Sequence, residues 1–277
     1  MRIQALSKKS ILWMFAVTSL VAVFLYAQNN DISTHKFTIT NPKVPDVFNG
    51  FVIVQISDLH NMRFGKGQEI LLQKVSAAQP DLIVVTGDII DSIHTDIPLA
   101  MEFIQGAINI APVAYVPGNH EARIDNYEQL INLLADVGVR VLENNQFNIE
   151  RNHEHIELLG IVDPFFKPAS VSLNALNLQD PTSFKILLSH RPELIKLYAS
   201  KNIDLVFTGH AHGGQIRIPY LRGGLIAPDQ GLFPKYTSGI YFEMDTTEVV
   251  SRGLGNSIFP LRIFNRPEII VVTLSNH

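Results

Sequence analysis

Cysteine is absent from this 277-residue chain, which excludes disulfides, thiolate metal sites and cysteine nucleophiles. Charge is sparse, at 17% of residues, and no segment forms a basic stripe. Beyond residue 30, 19 basic side chains stand against 26 acidic ones. Binding along a nucleic-acid backbone rests on clustered Lys and Arg, so no nucleic-acid partner is expected. Internal repeats and low-complexity tracts are also missing. Acidic residues are missing from the first 30 positions, which hold Arg2, Lys8 and Lys9. What is present is a hydrophobic content of 46%, enough for a substantial core and too little for a polytopic membrane protein.

The longest apolar run, Ile11 to Ala27, is broken only by Thr18 and Ser19 and turns polar at Gln28. As a helix it would extend roughly 26 Å at about 1.5 Å per residue, the short end of a transmembrane span. A signal peptide cut after Ala27 would place Leu25 where a small residue is needed, so a retained anchor is favoured over a cleaved signal. Either way, the basic flank places residues 1–10 in the cytoplasm and the rest outside. The expected division is a basic tail (1–10), an anchor or signal segment (11–27), a linker (28–45) with one candidate strand at Lys36–Thr40, and a single domain (46–277).

Within that domain, short apolar runs alternate with helical patterns. Phe51–Ile56 precedes a helical 67–79, Leu82–Val85 precedes Ile97–Ala107, and Val113–Val116 precedes Asn126–Val137. Shorter strands follow at Val139–Leu142, Phe147–Glu150 and Ile156–Ile161. Strand Phe184–Leu188, helix Pro192–Ser200 and strand Leu205–Phe207 come next, and the tail is β-rich at Ile240–Met244, Glu248–Ser251 and Ile269–Leu274. Repeated strand–helix–strand units argue for an α/β class with buried sheets. Two strand-rich halves with flanking helices predict a four-layer α-β-β-α sandwich, preceded by the N-terminal transmembrane helix.

Five of the apolar runs end in polar clusters. They lead into Ser57-Asp58-Leu59-His60, into Thr86-Gly87-Asp88 with Asp91 beyond, into Gly118-Asn119-His120-Glu121, into Ser189-His190, and into Gly209-His210-Ala211-His212. Ligands gather at the carboxyl ends of strands in α/β sheets, so these groups are placed to converge. Carboxylate, imidazole and amide oxygen without thiolate suit divalent ions of the Mn, Fe or Zn type. On an extended stretch, Asp58-x-His60 and His210-x-His212 would each point two side chains the same way. Taken singly the signals are weaker. His190 alone would pass for a structural histidine, Asp91 for a helix N-cap, Asn119 for a turn residue and Glu121 for a support of that turn. His35, His94, His153, His155 and His277 lie outside the pattern and read as surface residues.

Asp-x-His, Gly-Asp-x-x-Asp, Gly-Asn-His-Glu, a lone His and Gly-His-x-His, in that order over residues 57–212, resemble the signature of the calcineurin-like metallophosphoesterases. His210–Gln215 and Ser251–Gly255 resemble the bacterial, membrane-anchored or exported branch of that superfamily. The resemblance implies the metallo-dependent phosphatase fold and two divalent metal ions. Asp58, His60 and His212 would hold one ion, Asn119, His190 and His210 the other, and Asp88 would bridge them. A bridging water would then serve as nucleophile, with His120 protonating the leaving oxygen and Asp91 orienting its ring. The implied location is a bacterial cell membrane, single-pass, with the domain outside the cytoplasm, or export after signal cleavage.

The substrate is less legible. Ser92 stands where the protein-phosphatase branch has a phosphate-clamping arginine, which weighs against a phosphoprotein substrate. Arg191 and Arg123 are candidate phosphate-binding residues. The segment Pro219–Lys235, with Tyr220, Leu221, Arg222, Leu225, Ile226 and Phe233, is a candidate apolar wall of the cleft, suited to a lipid or lipid-linked phosphate ester. The expectation is a phosphodiesterase or pyrophosphatase acting as a monomer on a small-molecule or lipid ester. A phosphomonoesterase and a non-catalytic metal-binding scaffold are the competing readings.

Overall fold

A computed structural model describes residues 7–219, 223–257 and 259–277; Arg2 of the basic flank and Tyr220, Leu221 and Arg222 of the candidate wall lie outside them. The first half comprises α1 (Lys8–Asn30), β1 (Ser33–Thr40), β2 (Val52–Ile56), α2 (Glu69–Ala77), β3 (Leu82–Thr86), α3 (Ile97–Ala107), β4 (Val113–Val116), α4 (Tyr127–Asp136) and β5 (Arg140–Val141). The second comprises β6 (Asn145–Arg151), β7 (Glu154–Gly160), α5 (Ala169–Asn174), β8 (Lys185–Leu188), α6 (Ile195–Ala199) and β9 (Leu205–Thr208). The small hairpin β10 (Ile226–Ala227) and β11 (Gly231–Leu232) precedes β12 (Gly239–Glu243), β13 (Thr246–Val250) and β14 (Glu268–Ser275).

The strands form two six-stranded sheets, ordered β1-β14-β2-β3-β4-β5 and β12-β13-β9-β8-β7-β6. Strands β2 to β5 run parallel, as do β7, β8, β9 and β13. Side chains alternate faces along a strand, and here that alternation sorts one sequence into separate cores. Ile53, Val84, Ala114 and Val116 of the first sheet meet Leu158, Ile186, Leu188, Leu205 and Phe207 of the second in one buried cluster. Their neighbours Val54, Ile83, Val85 and Tyr115 face the other way, onto α2, α3 and α4 through Leu71, Phe103, Ile104 and Leu130. Leu159, Leu187 and Val206 pack outward on Leu173 and Tyr198 of α5 and α6. The result is the α-β-β-α sandwich expected from the strand–helix alternation.

Residues 28–45 are folded into the domain, contrary to their expected role as a linker. β1 pairs in parallel with β14 along its whole length, from Ser33 opposite Glu268 to Thr40 opposite Ser275. Ile39 and Val44 are buried in the inter-sheet core. Polar residues alternate with apolar ones in β1 because only one face of an edge strand is covered. The short helix α5 was not anticipated, and neither was the β10–β11 hairpin inside the Gly- and Pro-rich segment.

Helix α1 is capped by Ser7, whose hydroxyl accepts from the Ser10 N–H. It runs 23 residues with a mean hydropathy of 2.0 over its most apolar stretch, none of which is buried against the protein. It is therefore long and apolar enough to cross a membrane.

The inter-sheet core is the stability determinant that the strand ends depend on. Ile186→Ala, which removes three carbons at a fully buried position of β8, should cost about 3 kcal/mol, and Ile186→Val about 1 kcal/mol. Urea unfolding of the full chain in detergent would check both values.

Candidate active site

Each of the five polar clusters sits directly after a strand: after β2, β3, β4, β8 and β9. Asp58, His60, Asp88, His210 and His212 all have φ between 45° and 64°, in the left-handed region. Asp and His are tolerated there better than most residues, yet each still costs on the order of 1 kcal/mol or more. The extended geometry expected for the two alternating pairs is therefore not what unites them. The chain turns sharply at each residue and aims its side chain back over the strand ends. Cross-bonds between loops hold those turns: Asp58 N–H donates to Gly87 O at 3.0 Å, His60 N–H to Asp88 O at 3.0 Å, and His120 N–H to Asp88 Oδ1 at 2.8 Å. Two glycines permit the close approach. A Cβ at Gly118 would lie 2.3 Å from Asp88 Oδ1, and one at Gly209 1.9 Å from Ser57 Oγ.

Two groups of donors result. In the first, His60 Nε2 lies 3.2 Å from His212 Nε2, and Asp58 Oδ1 lies 3.5 Å from His212 Nε2 and 3.9 Å from His60 Nε2. In the second, His190 Nε2 lies 3.1 Å from Asp88 Oδ2, 3.2 Å from Asn119 Oδ1 and 3.2 Å from His210 Nδ1. Asp88 Oδ2 also stands 3.6 Å from His60 Nε2, so this carboxylate faces both groups. Donors bound at about 2.1 Å to one ion lie roughly 3–3.5 Å from one another; the second group falls within that range, and the first, with Asp58 3.9 Å from His60, is slightly wider. All seven side chains are buried, none is a thiolate, and the donor set fits divalent cations.

The electrostatics fit the same occupant. Burial opposes the charge on Asp88, yet His190 and His60 beside it hold its carboxyl well below the usual range. Asp58 is likewise lowered, burial notwithstanding, by His212 and His60. Burial also opposes a charge on His190, but the Asp88 carboxylate raises it to about 10, so a proton there supplies the positive charge Asp88 needs. His190 Nδ1–H donates to Thr86 O at 2.7 Å, leaving Nε2 to face the cluster. Burial pushes His210 down to about 4 and His212 well below its usual value, keeping both rings neutral, the form that ligates.

Glu121 does more than steady its own turn. It is buried, and its oxygens accept from the N–H groups of Asp88 at 2.8 Å, Ile89 at 2.8 Å and Gly118 at 2.7 Å, fastening the β3 and β4 loops together. Burial and the nearby Asp88 raise its carboxyl to about 7, while the backbone donors pull the other way.

His120 stands beside the first group, its ring edge-on to His60 at 4.5 Å between centroids. Asp91 was expected to orient it, but the nearest approach is 3.7 Å, to His120 Nδ1. That nitrogen instead accepts the Ser92 backbone N–H at 3.0 Å, while Asp91 Oδ1 accepts from the N–H groups of Ile93 and His94. His120 Nε2, which then carries the proton, points to Ser257 Oγ at 3.2 Å. Burial lowers the pKa of this ring.

The two candidate phosphate-binding arginines differ. Arg191 is buried and committed: its Nε and Nη2 pair with Asp163, its Nη1 with Asp229. Arg123 lies 4.4 Å over the Phe165 ring and lines a cleft of about 220 Å³ together with Asp88, Asn119, His120, His210 and His212. Phe165, Pro228, Asp229 and Ser257 complete that lining. The Gly- and Pro-rich segment thus reaches the cleft through Pro228 and Asp229, whereas its Ile226 and Phe233 are exposed. Asp229 Oδ2 accepts from His210 Nε2 at 2.8 Å, the carboxylate–histidine arrangement that fixes a ligand ring. Asp163, Ser257 and Asp229 escaped sequence reasoning because their partners are distant in the chain; only the choice of segment 219–235 hinted at Asp229.

Comparison with known proteins gives a consistent result. The calcineurin-like phosphoesterase family profile matches residues 51–214. An uncharacterized metallophosphoesterase of Bacillus subtilis, YkuE, is 31% identical over 261 residues, covering 91% of this chain and 88% of the relative. A transmembrane protein with a metallophosphoesterase domain from Danio rerio is 28% identical over 249 residues, covering 84% of this chain and 55% of the relative. Among solved structures, the phosphopantetheinyl hydrolase PptH of Mycobacterium tuberculosis aligns with a TM-score of 0.50 at 12% identity, covering 75% of this chain and 92% of that one. That last likeness is one of fold.

Divalent ions should stabilise this site. At a hundredfold excess over Kd, Mn²⁺ is expected to add about 2.7 kcal/mol and raise the unfolding midpoint by roughly 5–10 °C. Because an ion must displace the proton held by His190, the increment should grow as pH rises from about 6 to about 8. Thermal unfolding with and without chelator, in wild type and Asp88→Asn, checks this; the variant should lose most of the shift.

Proposed function

The chain belongs to the calcineurin-like phosphoesterase family of metal-dependent phosphoester hydrolases, and on that premise we propose that it cleaves phosphodiester or pyrophosphate bonds with two divalent ions. The observation that carries this reading is the pair of donor groups sharing Asp88, with the His120 Nε2–H at the same cleft. Asp58, His60 and His212 would hold one ion and Asn119, His190 and His210 the other, with Asp88 shared between the two groups. When bound, such a pair polarises phosphoryl oxygens and activates water at neutral pH.

The chain's own groups do the rest. His120 presents its Nε2–H to the leaving oxygen as a hydrogen-bond donor to the charge that develops there, its ring fixed by the Ser92 N–H and by packing on His60. Asp91 shapes the turn that places Ser92. Glu121 keeps the Asp88 and Asn119 loops in register. Arg123 offers a cation at the cleft mouth, while Arg191 serves to hold Asp229 against His210.

Charge favours a diester. A monoester carries close to two negative charges at neutral pH and a diester one. The half-exposed Asp229 carboxylate lines the cleft, and of the two candidate arginines only Arg123 remains to offset a dianion, since Arg191 is spent on Asp163 and Asp229. The membrane-length helix α1, with Lys8 and Lys9 at its start, supports a domain held on the outer side of a membrane. Lipid or lipid-linked phosphate esters are then the substrates within reach.

His120→Ala should lower turnover of an aryl phosphodiester by about 10²–10⁴-fold while elemental analysis still finds the wild-type metal content. Hydrolysis at the wild-type rate would rule out a role for His120 at the leaving oxygen, and absence of turnover in metal-loaded wild type would favour a scaffold. Asp229→Asn should lower the diester-to-monoester rate ratio measured on paired aryl substrates, since it removes one negative charge from the cleft. An unchanged ratio would remove the electrostatic argument for diesters.

A further inference from the structure

The join between α1 and the domain is rigid. Only Asp31 and Ile32 separate α1 from β1, and β1 is locked onto β14. The last turn of α1 is itself docked on the loop running from residue 256 to 267. Asn29 Oδ1 accepts from the Arg262 N–H at 2.9 Å and from Asn256 Nδ2 at 3.0 Å. Gln28 Oε1 accepts from the Asn265 N–H at 3.1 Å, and Arg266 pairs with Asp31. One turn earlier, the Phe24 ring packs edge-on against Phe264 at 5.2 Å between centroids.

Phe24 belongs to the apolar run that ends at Ala27, about 5 Å from that end along the helix. A ring seated on Phe24 therefore shares its depth in any bilayer that α1 crosses. Phe264 is nevertheless 50% exposed, and Phe259 and Leu261 of the same loop are 43% and 37% exposed. Apolar side chains left open beside a membrane-length helix have an evident cover, the lipid around that helix.

We propose that this loop, through Phe259, Leu261 and Phe264, is a bilayer-contacting surface that seats the catalytic cleft on the membrane crossed by α1. The surface continues α1 directly, which is why lipid is its occupant. The loop also reaches the donor groups. Ser257 Oγ lies 3.2 Å from His120 Nε2, Asn265 Nδ2 donates to His212 O at 2.7 Å, and Arg262 Nη2 lies 3.5 Å from His212 Nδ1. The cleft mouth, lined by Ser257, is thus held near the headgroup layer. On the hydrolase reading, a phosphoester in a lipid headgroup meets the cleft without leaving the bilayer.

The cysteine-free chain permits a direct test that does not depend on activity. Phe264→Cys, Leu261→Cys and Met244→Cys, each in the full chain, would be labelled with an environment-sensitive dye and reconstituted into phosphatidylcholine–phosphatidylglycerol vesicles. Nitroxide-bearing lipids would quench by contact. Met244 is the control: it is 78% exposed in the β12–β13 turn, beside Asp204 at the amino end of β9, on the face opposite the cleft. Leu261→Cys keeps the Phe24–Phe264 pair intact, so a loss of docking in Phe264→Cys cannot mislead. A label at Leu20→Cys in α1 reports insertion. Quenching at positions 261 and 264 several-fold above that at 244 is the expected result. Quenching at 261 no greater than at 244, with Leu20→Cys fully quenched, would overturn the proposal and leave the hydrolase reading untouched.

Discussion

A buried, ionised Asp88 is the constraint from which the rest of the site follows. Its carboxylate has no water to solvate it, so it must be compensated by charge and by donors. His190 supplies a proton, the His120 backbone N–H supplies a hydrogen bond, and the two donor groups around it could hold cations. The Asp88 backbone must also be fixed, because a carboxylate that serves two groups tolerates little displacement. Glu121 does this by accepting the Asp88 and Gly118 N–H groups together, joining two strand ends into one unit. The left-handed turns at Asp58, His60, Asp88, His210 and His212 are strained features that such cross-bonds sustain. The fold makes this possible because parallel strands of both sheets bring their carboxyl ends to one edge of a stiff core.

The parts of the molecule legible in its sequence are those where residue type alone determines the outcome. The central strands are continuous apolar runs because both faces are buried, as with Leu82–Thr86 and Leu205–Thr208. The donor residues are legible because few chemical roles place Asp, His and Asn directly after such runs. What stayed hidden depends on backbone geometry or on distant partners. No residue type announces that the Ser92 N–H, and not the Asp91 carboxylate, would meet His120. Arg191 looks like a free cation in sequence, yet Asp163 and Asp229, 28 and 38 positions away, neutralise it. β1 was legible only as a candidate strand at Lys36–Thr40 within a linker, because an edge strand buries one face only and His35, Lys36 and Thr38 dilute its apolar signal. Gln28 and Asn29 appeared to end the helix, whereas α1 continues to Asn30 and uses their amides for docking.

The surroundings of His210 and His212 have different characters. Around His210, the partner is a charged network: Asp229, Arg191 and Asp163 in series, with Asp229 contributed by the turn between β10 and β11. Around His212, the partners are amides and a buried guanidinium from the loop that receives α1. The first arrangement ties the ring's orientation to a turn at the rim of the cleft. The second ties it to the membrane-length helix.

That second tie distinguishes this chain from a domain on a flexible tether. A flexible linker would let the domain rotate freely, and orientation at a surface would then depend on weak contacts alone. Here two residues connect helix to edge strand, and Asn29, Gln28 and Phe24 fix the remaining freedom. The orientation of the cleft is consequently part of the fold and not an outcome of diffusion. The same rigidity carries a cost, since Asn265 and Arg262 serve both the α1 dock and the loop at His212. A displacement of the helix end is transmitted to the His212 ring through one loop, so helix placement and site geometry cannot vary independently.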